Sequence, residues 1–177
     1  QYFKLDKKSI PAFASEALLA GIALDTKNFV MRTGVRTFEA AAFLKKIGAD
    51  TIVVKSLFTN SIDTYQKKTQ VVSSAEIYNR CAIAHTEMKC DNIRLVCPQA
   101  ADELLNITDV DASFVLYRTG DIINISARSL GALNVQVIME QLGGGGHQTM
   151  AASQLKGISM NEAVEKLKKA IDEYQKE

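Results

Sequence analysis

The chain has 177 residues, 47% of them hydrophobic and 23% charged, with a formal net charge of +1. That is enough for one ordinary domain or two small ones, and the composition is that of a globular protein. So small a net charge excludes bulk coating of nucleic acid and leaves only local patches to meet a nucleotide. No apolar run reaches the ~18–20 residues of a membrane span, and Cys81, Cys90 and Cys97 form no C-x-x-C pair, so they read as reduced, mostly buried thiols and not as a zinc site.

Residues 1–14 mix charge with Pro11 and read as a lead-in. Ser15 is the expected N-cap of a first helix whose Ala17–Leu24 stretch is apolar on every side, the pattern of a buried helix. It runs into Asp25. A carboxylate there is opposed by the helix dipole and, if buried, by desolvation. Two readings stay open: Asp25 turns to solvent or a local N–H, or a metal ion or an arginine (Arg32, Arg36) balances it. Thr37 is the expected cap of a second helix, Phe38–Ile47, ended by Gly48, and Asp50 caps a short apolar helix through Phe58. Residues 61–79 read as a helical connector between two units, 1–60 and 80–177.

Arg80–Thr86 reads as a strand, and His85 at its end as a structural histidine. Pro98 suits the first turn of a helix whose inner face is Ala100, Ala101, Leu104 and Leu105. Ser113–Arg118 and Ile122–Arg128 are β-rich runs joined by Thr119-Gly120-Asp121, a hairpin signal. Asn134 caps a helix to Leu142, Met150–Leu155 is a short strand, and Ser159 with Glu162 forms a capping box for a last amphipathic helix to about Tyr174. Strands mixed with helices in this way predict an α/β class, a mixed sheet covered by helices.

Two stretches carry chemistry. On the second hairpin strand, alternation puts Asn124, Ser126 and Arg128 on one face, either simply the solvated side of an edge hairpin or, with the glycine run close by, an amide, a hydroxyl and a guanidinium suited to a phosphate or a base edge. Fewer than twenty residues on comes Gly143-Gly144-Gly145-Gly146-His147. Each glycine costs roughly 0.4–1 kcal/mol relative to alanine through unfolded-chain entropy. Such a run implies backbone with φ > 0 or backbone flush against something. Successive bare N–H groups make an anion concavity, and a histidine can donate to phosphate. The run is therefore read as a phosphate cradle, against the plainer reading of a helix C-cap and flexible loop. No Gly-Lys-Ser/Thr follows, so it is not a Walker A loop.

Leu19-Ala20-Gly21-Ile22-Ala23-Leu24-Asp25-Thr26-Lys27-Asn28-Phe29, Arg32-Thr33-Gly34 and Arg36-Thr37-Phe38-Glu39-Ala40-Ala41 together resemble the fourth signature block of the DHH phosphoesterases. Ile125-Ser126-Ala127-Arg128-Ser129, Asn134-Val135-Gln136 and Gly143–His147 resemble their DHH-associated C-terminal domain. The wording is nearest the membrane-tethered cyclic di-AMP phosphodiesterases of Gram-positive bacteria. The resemblance implies a two-lobed α/β fold and a paired Mn²⁺ centre. Asp25 would be a metal ligand and so catalytic. Gly143, Gly144, Gly145, Gly146 and His147 would form the substrate-phosphate loop, and Ser126, Arg128 and Ser129 would contact the nucleotide.

The family's earlier histidine- and aspartate-bearing blocks are missing, and the chain begins at Gln1. It is therefore expected to be the C-terminal portion of a longer enzyme, with little metal affinity or hydrolysis by itself. The implied reaction converts cyclic di-AMP to linear pApA. The alternatives are short-RNA exonuclease or pAp phosphatase activity, or a non-catalytic nucleotide- or tRNA-binding module. The implied partner is a cyclic dinucleotide or short oligonucleotide, with no long nucleic acid and no membrane contact by this portion. The expected setting is a cytoplasmic domain, with a homodimer one option for its assembly, whose parent would be anchored in the membrane through a missing N-terminal region.

Overall fold

The computed structural model describes residues 10–176, which divide between Asn60 and Ser61 into two compact units. Most of the lead-in lies outside the described residues.

The first unit holds α1 (Ala12–Asp25), α2 (Val35–Lys46) and α3 (Thr51–Ser56) around a small core of Leu19, Ala20, Leu44, Ala49 and Val54. Helix α1 starts three residues before the expected cap. Pro11 is its N-cap, and Ser15 lies inside the first turn, donating its hydroxyl to the Ala12 carbonyl at 2.8 Å. Nor is α1 buried all round, since Leu18 and Leu24 are exposed, Leu24 by 61%. The other two helices of the unit, α2 and α3, cover one stripe of it. Helix α2 starts at Val35 with Gly34 as N-cap, and Thr37 lies in its first turn, its Oγ1 accepting from Gly34 N at 3.4 Å. Gly48 ends it at φ +116, the left-handed side that favours glycine. Asp50 caps α3 as expected, Oδ1 accepting from Ile52 N at 2.8 Å.

The second unit holds α4 (Ile62–Ser73), β1 (Glu76–Tyr78), β2 (Cys81–Thr86), α5 (Ile93–Leu104), β3 (Ala112–Thr119), β4 (Ile122–Ser129), α6 (Val135–Gln141), β5 (Gly145–His147), β6 (Met150–Lys156) and α7 (Met160–Tyr174). The class is α/β, a six-stranded sheet in the order β1-β2-β3-β4-β6-β5, with β2 and β3 parallel and every other pairing antiparallel. A β2-α5-β3 crossover accounts for the parallel pair. One face carries Phe114, Leu116, Ile123, Ile125 and Ala127 against α6 and α7. The other carries Ala82, Ala84, Val115 and Tyr117 against α4 and α5.

Three local expectations change here. The connector ends in β1, a strand only three residues long, held by pairing with β2. Pro98 sits inside α5 and not in its first turn, because Ile93, Val96 and Cys97 extend the buried stripe one turn further back. The glycine run is not a loop: it caps α6 and then becomes β5.

Candidate functional site

Strand β4 alternates strictly. Ile123, Ile125 and Ala127 enter the core under α6 and α7, so Asn124, Ser126 and Arg128 face the α5 side. Helix α5 lies against β3 and β4 and forms a wall there. Beyond it the same face continues onto β6 and β5. Arg128 is the register partner of Met150, and Met150 is the partner of His147. A guanidinium, a thioether and an imidazole thus form one cross-strand row, with Arg128 and His147 two strand spacings, about 9–10 Å, apart. The next row is Ser126, Ala152 and Gly145, and the one after it pairs Asn124 with Gln154, whose Nε2 donates to Asn124 Oδ1 at 3.0 Å.

The glycines divide by job. The Gly143 N–H donates to the Glu140 carbonyl at 3.0 Å and the Gly144 N–H to the Met139 carbonyl at 2.8 Å, the two bonds of a Schellman cap, with Gly143 at φ +70. Those two N–H groups are committed to α6, so the cradle is not four bare donors in succession, and the helix-cap reading holds for its first half. Gly144 and Gly146 lie flush against β6. A β-carbon on Gly144 would collide with the Ala152 carbonyl, and one on Gly146 would stand 2.5 Å from Ala151 Cα. Gly145 is different: its φ is unexceptional and no atom lies within 4 Å of where a β-carbon would be. Nothing in the fold requires glycine there.

His147 is exposed, at the end of β5. The Gln148-Thr149 turn that follows is pinned from two sides. Val135 N donates to Gln148 O at 3.0 Å, and Ser129 N donates to Thr149 O at 3.0 Å. Ser129 itself falls on the opposite alternation from Ser126 and Arg128 and is buried, its hydroxyl donating to Leu133 O at 2.7 Å. The structure therefore brings together Ser126, Arg128, Gly145 and His147, and it places Ser129 behind them as an anchor of the loop.

Arg128 is closely held. Its side chain is 11% exposed, Nη1 donates to Ala127 O at 2.9 Å, and Nε stands 3.3 Å from Asp102 Oδ1 of α5. Among the described residues Nε makes no hydrogen bond, so Asp102 holds it as an ion pair without donor alignment. One turn earlier on α5, Gln99 Oε1 is buried without a hydrogen-bond partner among the described residues. Beneath the row, burial raises the Tyr117 hydroxyl above the ordinary tyrosine range, with Cys97 adding to it, while Ser126, Arg94 and Arg128 pull the other way. Asp102, Gln99 and Met150 were not singled out from sequence. Strand parity after His147 could have found Met150, but the α5 residues carry no sequence signal linking them to β4.

Asp25, in the first unit, is the last residue of α1 and is exposed, so burial does not oppose its charge. The turn after it is unusual. Lys27, Asn28 and Phe29 all have φ between 48° and 68°, and Thr26 Oγ1 both donates to Ile22 O at 2.6 Å and accepts from Phe29 N at 2.9 Å. The Phe29 ring stacks on Phe38 at 5.3 Å. Left-handed non-glycine residues cost of order 1–3 kcal/mol each and concentrate at functional sites. Among the described residues, no three His, Cys, Asp or Glu side chains gather as a metal site. Nor, among them, is any helix long and apolar enough to cross a membrane.

The DHHA1 domain model matches residues 82–177. The chain belongs to the DHHA1 domain family. It is 45% identical over 178 residues to the cyclic-di-AMP phosphodiesterase PdeA of Listeria monocytogenes, covering 98% of this chain and 27% of that protein. It is 49% identical over 164 residues to the cyclic-di-AMP phosphodiesterase GdpP of Bacillus subtilis, covering 89% and 25% respectively. The DHHA1 chain thus spans about a quarter of the length of these relatives. In fold it is similar to an exopolyphosphatase-related protein from Bacteroides fragilis, with a TM-score of 0.82 at 22% identity over 95% of this chain and 52% of that one.

Proposed function

We propose that this chain supplies the nucleotide-binding lobe of a manganese-dependent phosphodiesterase that hydrolyses cyclic di-AMP to linear pApA. The observation that carries the reading is the row Arg128–Met150–His147 on one sheet face, walled by α5 at Arg128 and exposed at Met150 and His147. The names of the relatives add the substrate. Arg128 offers a planar fork of donors to a phosphate. His147 donates from the far side, and Met150 between them gives the base or sugar a soft apolar surface. Ser126 adds a hydroxyl, and Gly145 leaves the backbone bare where a ligand lies close. Gly143, Gly144 and Gly146 act at one remove, by fixing the hairpin that presents His147, and Ser129 does so by fixing its turn.

Asp25 is proposed as one ligand of the divalent metal centre. The strained turn behind it supports that role, since a turn serving only as a connector could use glycine there. The described residues do not by themselves assemble a metal centre, so no hydrolytic step is assigned to this chain.

Two measurements test the reading. Calorimetric titration of the chain with cyclic di-AMP should show binding that His147→Ala and Arg128→Ala each weaken by about tenfold, the scale of a lost charge-assisted hydrogen bond. Unchanged binding in both variants would overturn it. In the whole protein loaded with Mn²⁺, cyclic di-AMP should be cleaved faster than pApA. The reverse order would favour the short-RNA exonuclease reading.

A further inference from the structure

We propose that Asp102 is the positioning residue for Arg128, holding the guanidinium in the conformation that receives a phosphate. The inference rests on the nucleotide-binding reading above.

An arginine carries about 2 kcal/mol of side-chain rotamer entropy, which a ligand must otherwise remove on binding. Here that freedom is already restricted. The side chain is 11% exposed, and its only aligned hydrogen bond among the described residues is Nη1 to the carbonyl of Ala127, the residue before it on β4. That bond alone does not hold a charged group in a largely dry position, because a poorly solvated guanidinium left without a counter-charge is strongly destabilised. Asp102 supplies the counter-charge from the facing helix, 3.3 Å from Nε and itself 35% exposed. The contact acts on one side of the fork. A guanidinium has five N–H donors, so Nε beside Asp102 and one Nη1 hydrogen on Ala127 do not exhaust it. The remaining donors lie in the same plane and can meet a second anion. Asp102 is therefore not a competitor that a phosphate must displace. It holds the charge in place while the Ala127 carbonyl orients Nη1, and it ties α5 to the row that ends at His147.

The sequence context supports a specific role. Glu103, the next residue on α5, pairs with Lys68 of α4 at 2.9 Å, away from β4. It provides a carboxylate on the same helix turn that is not aimed at Arg128.

The test is a double-mutant cycle on the full chain, with AMP as the probe, read by calorimetry alongside ¹⁵N relaxation of the Arg128 Nε–H in the free chain. Asp102→Ala should lower AMP affinity by about tenfold, a coupling in the range found for residues in direct contact. The same change on an Arg128→Ala background should have no further effect. Asp102→Glu should recover most of the loss, and Glu103→Ala should leave affinity unchanged. In the free Asp102→Ala chain, the Arg128 guanidinium should become mobile and the melting temperature should fall, and the fall should be smaller on the Arg128→Ala background, where no guanidinium is left without its counter-charge. Unchanged AMP affinity in Asp102→Ala, an undiminished effect on the Arg128→Ala background, or a guanidinium as ordered without Asp102 as with it would overturn the proposal. If the unmutated chain binds no AMP, the nucleotide reading falls, and the relaxation data still decide whether Asp102 holds Arg128.

Discussion

Gly146 lies so close to Ala151 that a β-carbon on the glycine would stand 2.5 Å from the alanine Cα and 2.8 Å from its Cβ. Neighbouring Gly145 has no such obstacle. The two substitutions should therefore separate folding from binding. Gly146→Ala should lower the melting temperature markedly, since it adds a clash to a left-handed φ. Gly145→Ala should leave stability unchanged or raise it by about 0.4–1 kcal/mol through the unfolded chain, yet weaken cyclic di-AMP binding. Thermal melts and calorimetry on the two variants check this; equal destabilisation by both would contradict the assignment.

Met150 is 45% exposed between two cationic or hydrogen-bonding groups, where strand stability does not require an apolar side chain. Met150→Glu should fold normally and lower affinity for AMP by about tenfold or more, because a carboxylate would then sit within a few ångströms of the phosphate site. Met150→Leu should bind close to the parent. A salt series adds a second readout, since the penalty in the glutamate variant should shrink as ionic strength rises.

Burial pushes the Cys81 and Cys97 thiols up to about 12. Cys90 is partly exposed. A thiol reagent at neutral pH should therefore modify one cysteine in the native chain and three after denaturation. Cys90→Ser should reduce the native count to zero, and a fast-reacting second thiol would show that the sheet opens at α5.

Arg80 and Asp111 pair at 2.6 Å. The hydrogen bond from Arg80 lowers the Asp111 carboxyl below its ordinary range against an opposing desolvation, and the guanidinium charge adds a lesser share. A depressed carboxyl stabilises the fold above the unfolded value, about 3.9, and that contribution is lost as pH falls through the folded value. Asp111→Asn should accordingly flatten the acid side of the stability–pH curve and leave its neutral-to-alkaline side parallel to that of the parent. The pair is largely exposed, so the difference should be small and fade with added salt.

Local chemistry was legible where the signal and its cause lie within a few residues. Asp50, Asn134 and Ser159 cap the helices they were expected to cap. Gly120 turns the β3–β4 hairpin at φ +62, and β4 alternates as its pattern implies. What depended on a distant partner was not legible. Glycines announce permissive backbone but not what it lies against, and here that is β6 for two of them and the end of α6 for the first. Apolar composition in α1 says that the helix favours burial, not which residues cover it. The Asp102–Arg128 contact joins positions far apart in the chain through a crossover, with no spacing to reveal it.

The row and its neighbours come almost entirely from β4, β5 and β6, which lie within about forty residues of one another. Closing such short loops carries a small entropic penalty, and topologies rich in nearby pairings form quickly. In pulse-labelled refolding, amides of these three strands should gain protection ahead of those in β2 that pair with β3 across the α5 crossover. The ligand-facing platform would then take shape early, and α5, docking afterwards, would bring the acid that steadies its arginine.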